Sequence, residues 1–298
     1  MLMLSFLALL MSGPAPAAAP TVVVDGSSTV YRISKAAQEG FDEVDPKVQV
    51  IVNSSGTGGG FGKYLQGEVD IVDASRPAKP TEESSARAKG LVWAEYTVGY
   101  DGITVVVNPK NTFVKSLSVK QLKTLWEPDS KVTTWHDLDP SWPARRIVLY
   151  SPDNDSGTFE YFTEAVVGKA KAQRRGVQQN ADDNALVKGV TGDADAIGYF
   201  GYAYYVANRR KLSAVPIKDG DKPAVLPAES TILDKSYSPL SRPLYIYVKN
   251  SSMKRPEVAK FVGYYLANAA KLAKQAKYVP PTAADLAANA ARLAGGPR

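Results

Sequence analysis

The chain has no cysteine in its 298 residues and a single histidine, His136. The first absence excludes disulfides, thiolate metal sites, thiol nucleophiles and acylation of a lipoprotein cysteine. The second leaves little for histidine-based catalysis, and the clustered His and Asp ligands of a metal-assisted hydrolase are absent from the sequence. Outside residues 1–11 (MLMLSFLALLM) there is no long apolar run, and that one is too short to span a bilayer. Charge of one sign is not concentrated either. The net charge is +6, and the basic runs (Arg145-Arg146, Arg174-Arg175, Arg209-Arg210-Lys211) are short, which reads as solvated faces rather than a nucleic-acid track.

What is present describes a globular protein. At 44% hydrophobic and 22% charged, with sixteen tyrosines and four tryptophans, the chain is ordered and large enough for two domains. Residues 1–20 join the apolar stretch to Ser-Gly-Pro-Ala-Pro-Ala-Ala-Ala-Pro, the pattern of a signal peptide with a small-residue cleavage region. The positive start of such a segment is missing, since no Lys or Arg precedes Arg32, and Pro20 disfavours cleavage directly after Ala19. The expectation is a soluble, exported protein.

Four short clusters of small hydroxyl and glycine residues follow β-branched or apolar runs: Asp25-Gly-Ser-Ser-Thr-Val30, Ser54-Ser-Gly-Thr-Gly-Gly-Gly60, Ala74-Ser-Arg76 and Asp155-Ser-Gly-Thr158. Three of them lead into a helical pattern. Helix N-termini carry unpaired N–H groups and a positive dipole end, Ser and Thr add hydroxyl donors, and Gly lets the backbone approach closely. Four such loops in one chain point to convergence on one small oxyanion. Strands are expected at residues 21–24, 48–52, 69–74, 102–107, 147–150, 196–200, 214–217 and 244–248. Helices are expected near 29–44, 59–65, 81–89, 119–126, 159–167, 256–274 and from 282 on. Residues 135–142 read as an aromatic loop and residues 218–240 as a surface excursion. This alternation predicts an α/β protein with parallel pairing and the loops gathered at strand ends.

Enzyme motifs fail in detail. A P-loop ending at Gly62-Lys63 would need Gly where Thr57 stands and Ser or Thr where Tyr64 stands. Ser156 sits at a strand-to-helix turn without the Gly-x-Ser-x-Gly frame. Asp182-Asp183 and Asp193/Asp195 have the neighbours of turns. The reading is of a binder, not an enzyme, with no cofactor and no metal.

The clusters also occur in an order that resembles a known family. Together with Asp70-Ile-Val-Asp-Ala-Ser-Arg-Pro77, Gly99-Tyr-Asp-Gly-Ile-Thr-Val-Val-Val-Asn108, Ala196-Ile-Gly-Tyr-Phe200 and Leu240-Ser-Arg-Pro-Leu-Tyr-Ile-Tyr247, they resemble PstS-type phosphate-binding proteins over about residues 21–281. The resemblance implies a two-lobed periplasmic binding protein of type II-like form. Each lobe would be a mixed sheet flanked by helices, with the ligand in the cleft between them. It implies a monomer that closes on inorganic phosphate and delivers it to the membrane permease subunits of an ATP-driven (ABC) importer. Another tetrahedral oxyanion (sulfate, molybdate) or, at greater distance, a secreted phosphatase is the alternative. Lobe 1 is expected over residues 21–107 and 230–298, and lobe 2 over residues 108–229.

Carried over to this chain, the family's contact loops fall on Ser28 and Thr29, on Ser55, and on Ser156, Gly157 and Thr158. In the third loop the family has aspartate after Ala-Ser where this chain has Arg76, and an arginine where this chain has Pro152. The basic group is therefore expected at Arg76 on the opposite lobe, a surface ion pair being the competing reading. Hydrogen phosphate carries a proton that sulfate lacks, so a buried carboxylate acceptor would separate them. Asp101 or Asp155 is expected to supply it, against a turn or helix-cap role for either. Tyr199 and Tyr202 read as core and cleft wall.

Overall fold

A computed structural model describes residues 19–295. The expected signal peptide, residues 1–20, falls almost wholly outside them. The chain begins with β1 (Thr21–Gly26), α1 (Ser28–Asp42), β2 (Gln49–Val52), α2 (Thr57–Gln66), β3 (Ile71–Ala74), α3 (Pro80–Ala88) and β4 (Trp93–Val107). It continues through β5 (Leu117–Ser118), α4 (Val119–Trp126), α5 (Trp135–Leu138), β6 (Val148–Pro152), α6 (Gly157–Phe162), which runs on as a wider π turn to Val167, and β7 (Gln178–Asn180). Next come α7 (Asp183–Gly192), β8 (Ala196–Gly201), α8 (Tyr202–Asn208), β9 (Ser213–Ala214), β10 (Ile217–Lys218) and α9 (Glu229–Leu233). The return leg is β11 (Ser241–Lys249), α10 (Pro256–Gln275) and α11 (Ala283–Ala294).

The strands join in the order β2-β1-β3-β11-β4-β8-β6-β7. Pairing is parallel among β1, β2 and β3 and again among β6, β7 and β8, while β11 runs antiparallel to β3 and β4. The molecule is a two-lobed mixed α/β protein. Two strands make the crossing between lobes. The first part of β4, Trp93–Gly102, pairs with β11, and its second part, Ile103–Val107, pairs with β8. Arg242 of β11 lies directly opposite Asp101 of β4.

Each lobe has its own apolar core. The first packs Ile33 and Phe41 of α1 and Phe261 and Tyr265 of α10 against Val22, Val24, Val98 and Ile246 of the sheet. The second gathers Trp126, Trp135, Phe159, Phe162 and Tyr199, with Phe162 stacked on Tyr199 at 3.7 Å between centroids. This second core also holds Ile103, Val105, Ile232, Tyr237 and Leu240. The expected lobe boundaries stand at 107/108 and 229/230, and Val107 and Ile232, beside them on the lobe 1 side, belong to this core. Residues 218–240 are not a mere surface excursion, because Ile232, Tyr237 and Leu240 are fully buried. The single strand expected over 214–217 is two short ones, β9 on β4 and β10 on β5. The tail returns to the first lobe, where Asn289 of α11 hydrogen-bonds both backbone groups of Thr97.

Candidate functional site

The loop after β1 is built by its own serine. Ser27 Oγ accepts from the N–H groups of Thr29 and Val30 and caps α1, and Ser27 N–H donates to the Asp73 carbonyl at 2.8 Å. Ser28 and Thr29, the next two residues, both line the interlobe cavity, Ser28 half-buried and Thr29 buried. The loop before α2 is different. Its N-cap is Gly56, in a left-handed conformation, with no side chain to satisfy the first-turn N–H groups. Gly56, Thr57, Gly58 and Gly59 of this start line the interlobe cavity, and an uncapped helix start favours an anion. Gly59 fits there because a Cβ would meet Ser55 Oγ at 2.6 Å.

Behind these loops Asp25 acts as an organiser. Its Oδ1 accepts from both Ser55 N–H (2.9 Å) and Ser55 Oγ (2.7 Å), and Lys63 Nζ reaches Oδ2 at 2.5 Å. Burial alone would raise the Asp25 carboxyl, but Lys63 and Ser55 outweigh it and hold it below its ordinary value. Asp73, fully buried and bonded by Ser34, has no such cation; burial pushes its carboxyl up to about 8.

A cavity of about 530 Å³ opens between the lobes, lined by Ser28, Thr29, Ser55, Thr57, Ser75, Arg76, Gly157, Glu160, Tyr161, Glu164 and Arg242 among others. Its central charged group is Arg242. Nη1 donates to Ser75 Oγ at 3.0 Å and Nη2 to Thr29 Oγ1 at 2.8 Å, and Nη2 lies 3.4 Å from Asp101 Oδ2. The guanidinium carbon stands 3.5 Å from the centroid of the Tyr161 ring, whose hydroxyl is tied to the Pro239 carbonyl. One cation thus touches the first lobe through Thr29 and Ser75, the crossing strand through Asp101 and the second lobe through Tyr161. Its side chain is 12% exposed and that of Asp101 is 1% exposed, so the charge is held in a shielded place. Burial pushes the Asp101 carboxyl above its ordinary value, with Arg242 acting in the opposite direction.

The structure brings five of the nine expected residues to this cavity: Ser28, Thr29, Ser55, Arg76 and Gly157. Arg76 lines the cavity and carries a carboxylate partner of its own. Its two terminal nitrogens are each 2.8 Å from a Glu82 oxygen. Ser156 and Thr158 lie buried just behind the cavity, and Ser156 Oγ caps α6 by accepting from Thr158 and Phe159 N–H. Asp101 is the partner of Arg242 and does not line the cavity. Asp155 is exposed on the border of an adjoining pocket of about 420 Å³, and its N–H donates to Asp153 Oδ1 in a turn. Asp101 is buried with its Oδ1 left without a hydrogen-bond partner, and Asp155 is the exposed one of the two. Tyr199 is core, as read.

The residue the sequence reading missed is Arg242, although the motif Leu240-Ser-Arg-Pro contains it. Its role comes from being opposite Asp101 across 141 residues of chain, a pairing no local pattern announces. Ser75 was in hand as part of Ala-Ser-Arg but not assigned. Among the described residues no group of three or more His, Asp or Glu side chains is placed to hold a metal ion, and no helix is long and apolar enough to cross a membrane.

Fold and cavity together define a two-lobed solute-binding protein with an anion-adapted interlobe site. A sequence model of the PBP superfamily domain matches residues 13–269. The chain is 43% identical over 263 residues to Protein SphX of Synechocystis sp., covering 87% of this chain and 78% of that protein. It is 39% identical over 256 residues to the phosphate-binding protein PstS of Staphylococcus aureus, covering 86% and 76%. The crystal structure of a possible phosphate binding protein from Planctomyces limnophilus superposes with a TM-score of 0.90 at 44% identity, covering 93% of this chain and 98% of that one. The chain belongs to the PstS-type phosphate-binding proteins of the PBP superfamily.

Proposed function

We propose that the protein binds inorganic phosphate between its lobes and hands it to the permease of an ABC importer on the outer side of the membrane, in the periplasm where the cell has one. The observation that carries this reading is Arg242, a shielded guanidinium that already collects Thr29 and Ser75 hydroxyls around one cavity. A planar fork with permanent charge suits a tetrahedral oxyanion better than an ammonium does. The Ser28 hydroxyl and the uncapped first turn of α2 add donors from the first lobe, and Gly157 brings the second lobe close. Names borne by the relatives, phosphate-binding protein among them, support the same ligand.

Phosphate that bridges both lobes binds the closed form better than the open one and shifts that equilibrium. Closure also removes water, which strengthens each charge-assisted hydrogen bond. We further read the lobes as dividing where β4 and β11 cross, near Gly102 and Ser241, with residues 103–240 forming the second lobe. No bond is made or broken in this mechanism.

Titration calorimetry on the anion-stripped protein from Thr21 onward tests the reading, with phosphate, sulfate and molybdate as ligands. Tight one-to-one binding of phosphate is the expected result. Preference for sulfate or molybdate would reassign the ligand, and no anion binding at all would end the receptor reading.

A further inference from the structure

A second concavity, of about 900 Å³ against about 530 Å³ for the interlobe cavity, runs between α1 and α10. Tyr204 of α8, from the second lobe, joins its lining at the Arg32 end. The two helices are antiparallel. Lys260, near the start of α10, donates to Asp45 just past the end of α1 at 3.0 Å, and Phe261 and Tyr264 pack on Phe41 with ring centroids 5.4 and 5.6 Å away. The end of α10 therefore lies along the beginning of α1.

This packing sorts the charged lining by sign. Glu39 and Glu43 of α1 lie toward the Tyr264 end. Arg32 and Lys35 lie toward the other, where the antiparallel course also brings Lys271 and Lys277. These cations come from separate stretches of the chain, so no basic run announces them. Among the described residues none of the four forms an ion pair. Lys35 Nζ donates to Gln38 Oε1, and Asp183, buried at the start of α7, acts on Arg32 only electrostatically. Lys277 is also placed at a backbone cost. Helix α10 ends with Lys277 N–H donating to the Lys274 carbonyl and Tyr278 N–H to the Ala273 carbonyl. That turn puts Lys277 in the left-handed region at φ 67°, where glycine is the unstrained residue. A lysine there supplies the groove with an ammonium that glycine would not.

We propose that this basic end is a second anion site, separate from the interlobe cavity, for a chain of linked phosphates, free or as the tail of a nucleotide. The inference does not depend on what the interlobe cavity binds. Its cations form a strip and do not meet at a point. Lys271 and the last residue of α10, Gln275, are already about 6 Å apart along the helix axis. Lys277 lies beyond them, and Arg32 and Lys35 stand a turn apart on the facing helix. A single orthophosphate cannot span such a strip, whereas linked phosphates present charge along it. Tyr31 and Tyr204 line the same groove, with hydroxyls to donate to phosphate oxygens and ring faces for a base.

The test is calorimetry of the whole protein at physiological salt with tripolyphosphate and with metal-free ATP, each in the absence and in the presence of saturating orthophosphate. One-to-one binding that orthophosphate does not compete away is the expected result. Lys271→Gln/Lys277→Asn, asparagine being at ease in a left-handed turn, is expected to weaken tripolyphosphate at least about tenfold through lost charge-assisted bonds. Lys120→Gln/Lys123→Gln makes the same charge change on exposed lysines of α4 and is expected to weaken it less than about twofold, since distant exposed charges are screened. ATP binding tighter than tripolyphosphate makes a nucleotide the source, and the reverse order makes it the free chain; both support the site. The proposal is overturned if orthophosphate displaces tripolyphosphate, if the two double variants weaken it equally, or if neither compound binds. A protein that ignores orthophosphate and still binds tripolyphosphate through Lys271 and Lys277 fails the phosphate reading and supports this one.

Discussion

The chemistry of the site turns on which of two arginines is free to act. Arg76 stands where a loop-by-loop reading of the sequence would place the anion's cation, and in the structure Glu82, in the first turn of α3, takes both of its terminal nitrogens. Arg242 has a carboxylate partner too, but Asp101 shares it with two hydroxyls and a ring face at the wall of the cavity. Arg242→Lys keeps the charge and loses the fork. It is expected to weaken phosphate binding at least about tenfold in calorimetry, because two of the hydroxyls it orients are lost along with a charge-assisted bond. Arg76→Lys should cost no more than about threefold, as expected for a charge with its own partner. The reverse order of effects would return the central role to Arg76. The hydroxyl loops themselves were legible because helix caps and anion donors use the same short list of residues. Which hydroxyl serves which purpose was not legible: Ser27 and Ser156 are caps, while Thr29 meets Arg242 and Ser28 meets Glu160 across the cleft, on geometry that adjacent letters do not distinguish.

Elements with a strong local period were readable and those defined by distant partners were not. Helix α4 was expected over the residues it occupies, and α10 to within one. Strand β4 was read only from residue 102, where a continuous apolar run begins. Its first nine residues carry Glu95, Tyr96, Thr97 and Tyr100 and become strand because β11 pairs along them. The polar composition of residues 218–240 hid the opposite fact, that α9 and the turn after it deliver Ile232, Tyr237 and Leu240 to the second core. Ile232 is fully buried, and its Cδ1 would lie 2.4 Å from a Cβ placed on Gly102, at the crossing of β4. Ile232→Ala is expected to destabilise the protein by about 3 kcal/mol in urea unfolding, the cost of a deleted core side chain and the cavity left behind. A loss below about 1 kcal/mol would show that the segment does behave as surface.

At the scale of the whole molecule, function depends on how closely the lobes can meet, and Gly157 sets that distance. It is the first residue of α6 in the second lobe, and a Cβ there would lie 2.6 Å from Thr29 Oγ1, 2.9 Å from Thr29 N and 3.0 Å from Thr29 Cα. Two of those three atoms are backbone of the first turn of α1, which cannot move without breaking the Ser27 cap. The glycine is not needed for its own conformation: it is the first helical residue and its φ is not positive, so alanine fits its backbone as well. Gly157→Ala should therefore leave the ligand-free protein at least as stable as before and still obstruct closure. The expected signature is a melting temperature, measured without ligand, that does not fall, together with phosphate binding weakened at least about tenfold because the competent closed state is less populated. Small-angle scattering should show the contraction on phosphate addition in the unmodified protein and its loss or reduction in the variant. A variant that binds and contracts normally would mean that the lobes hold phosphate without the Gly157–Thr29 approach, and closure would then have to be driven from the Arg242–Tyr161 side of the cleft.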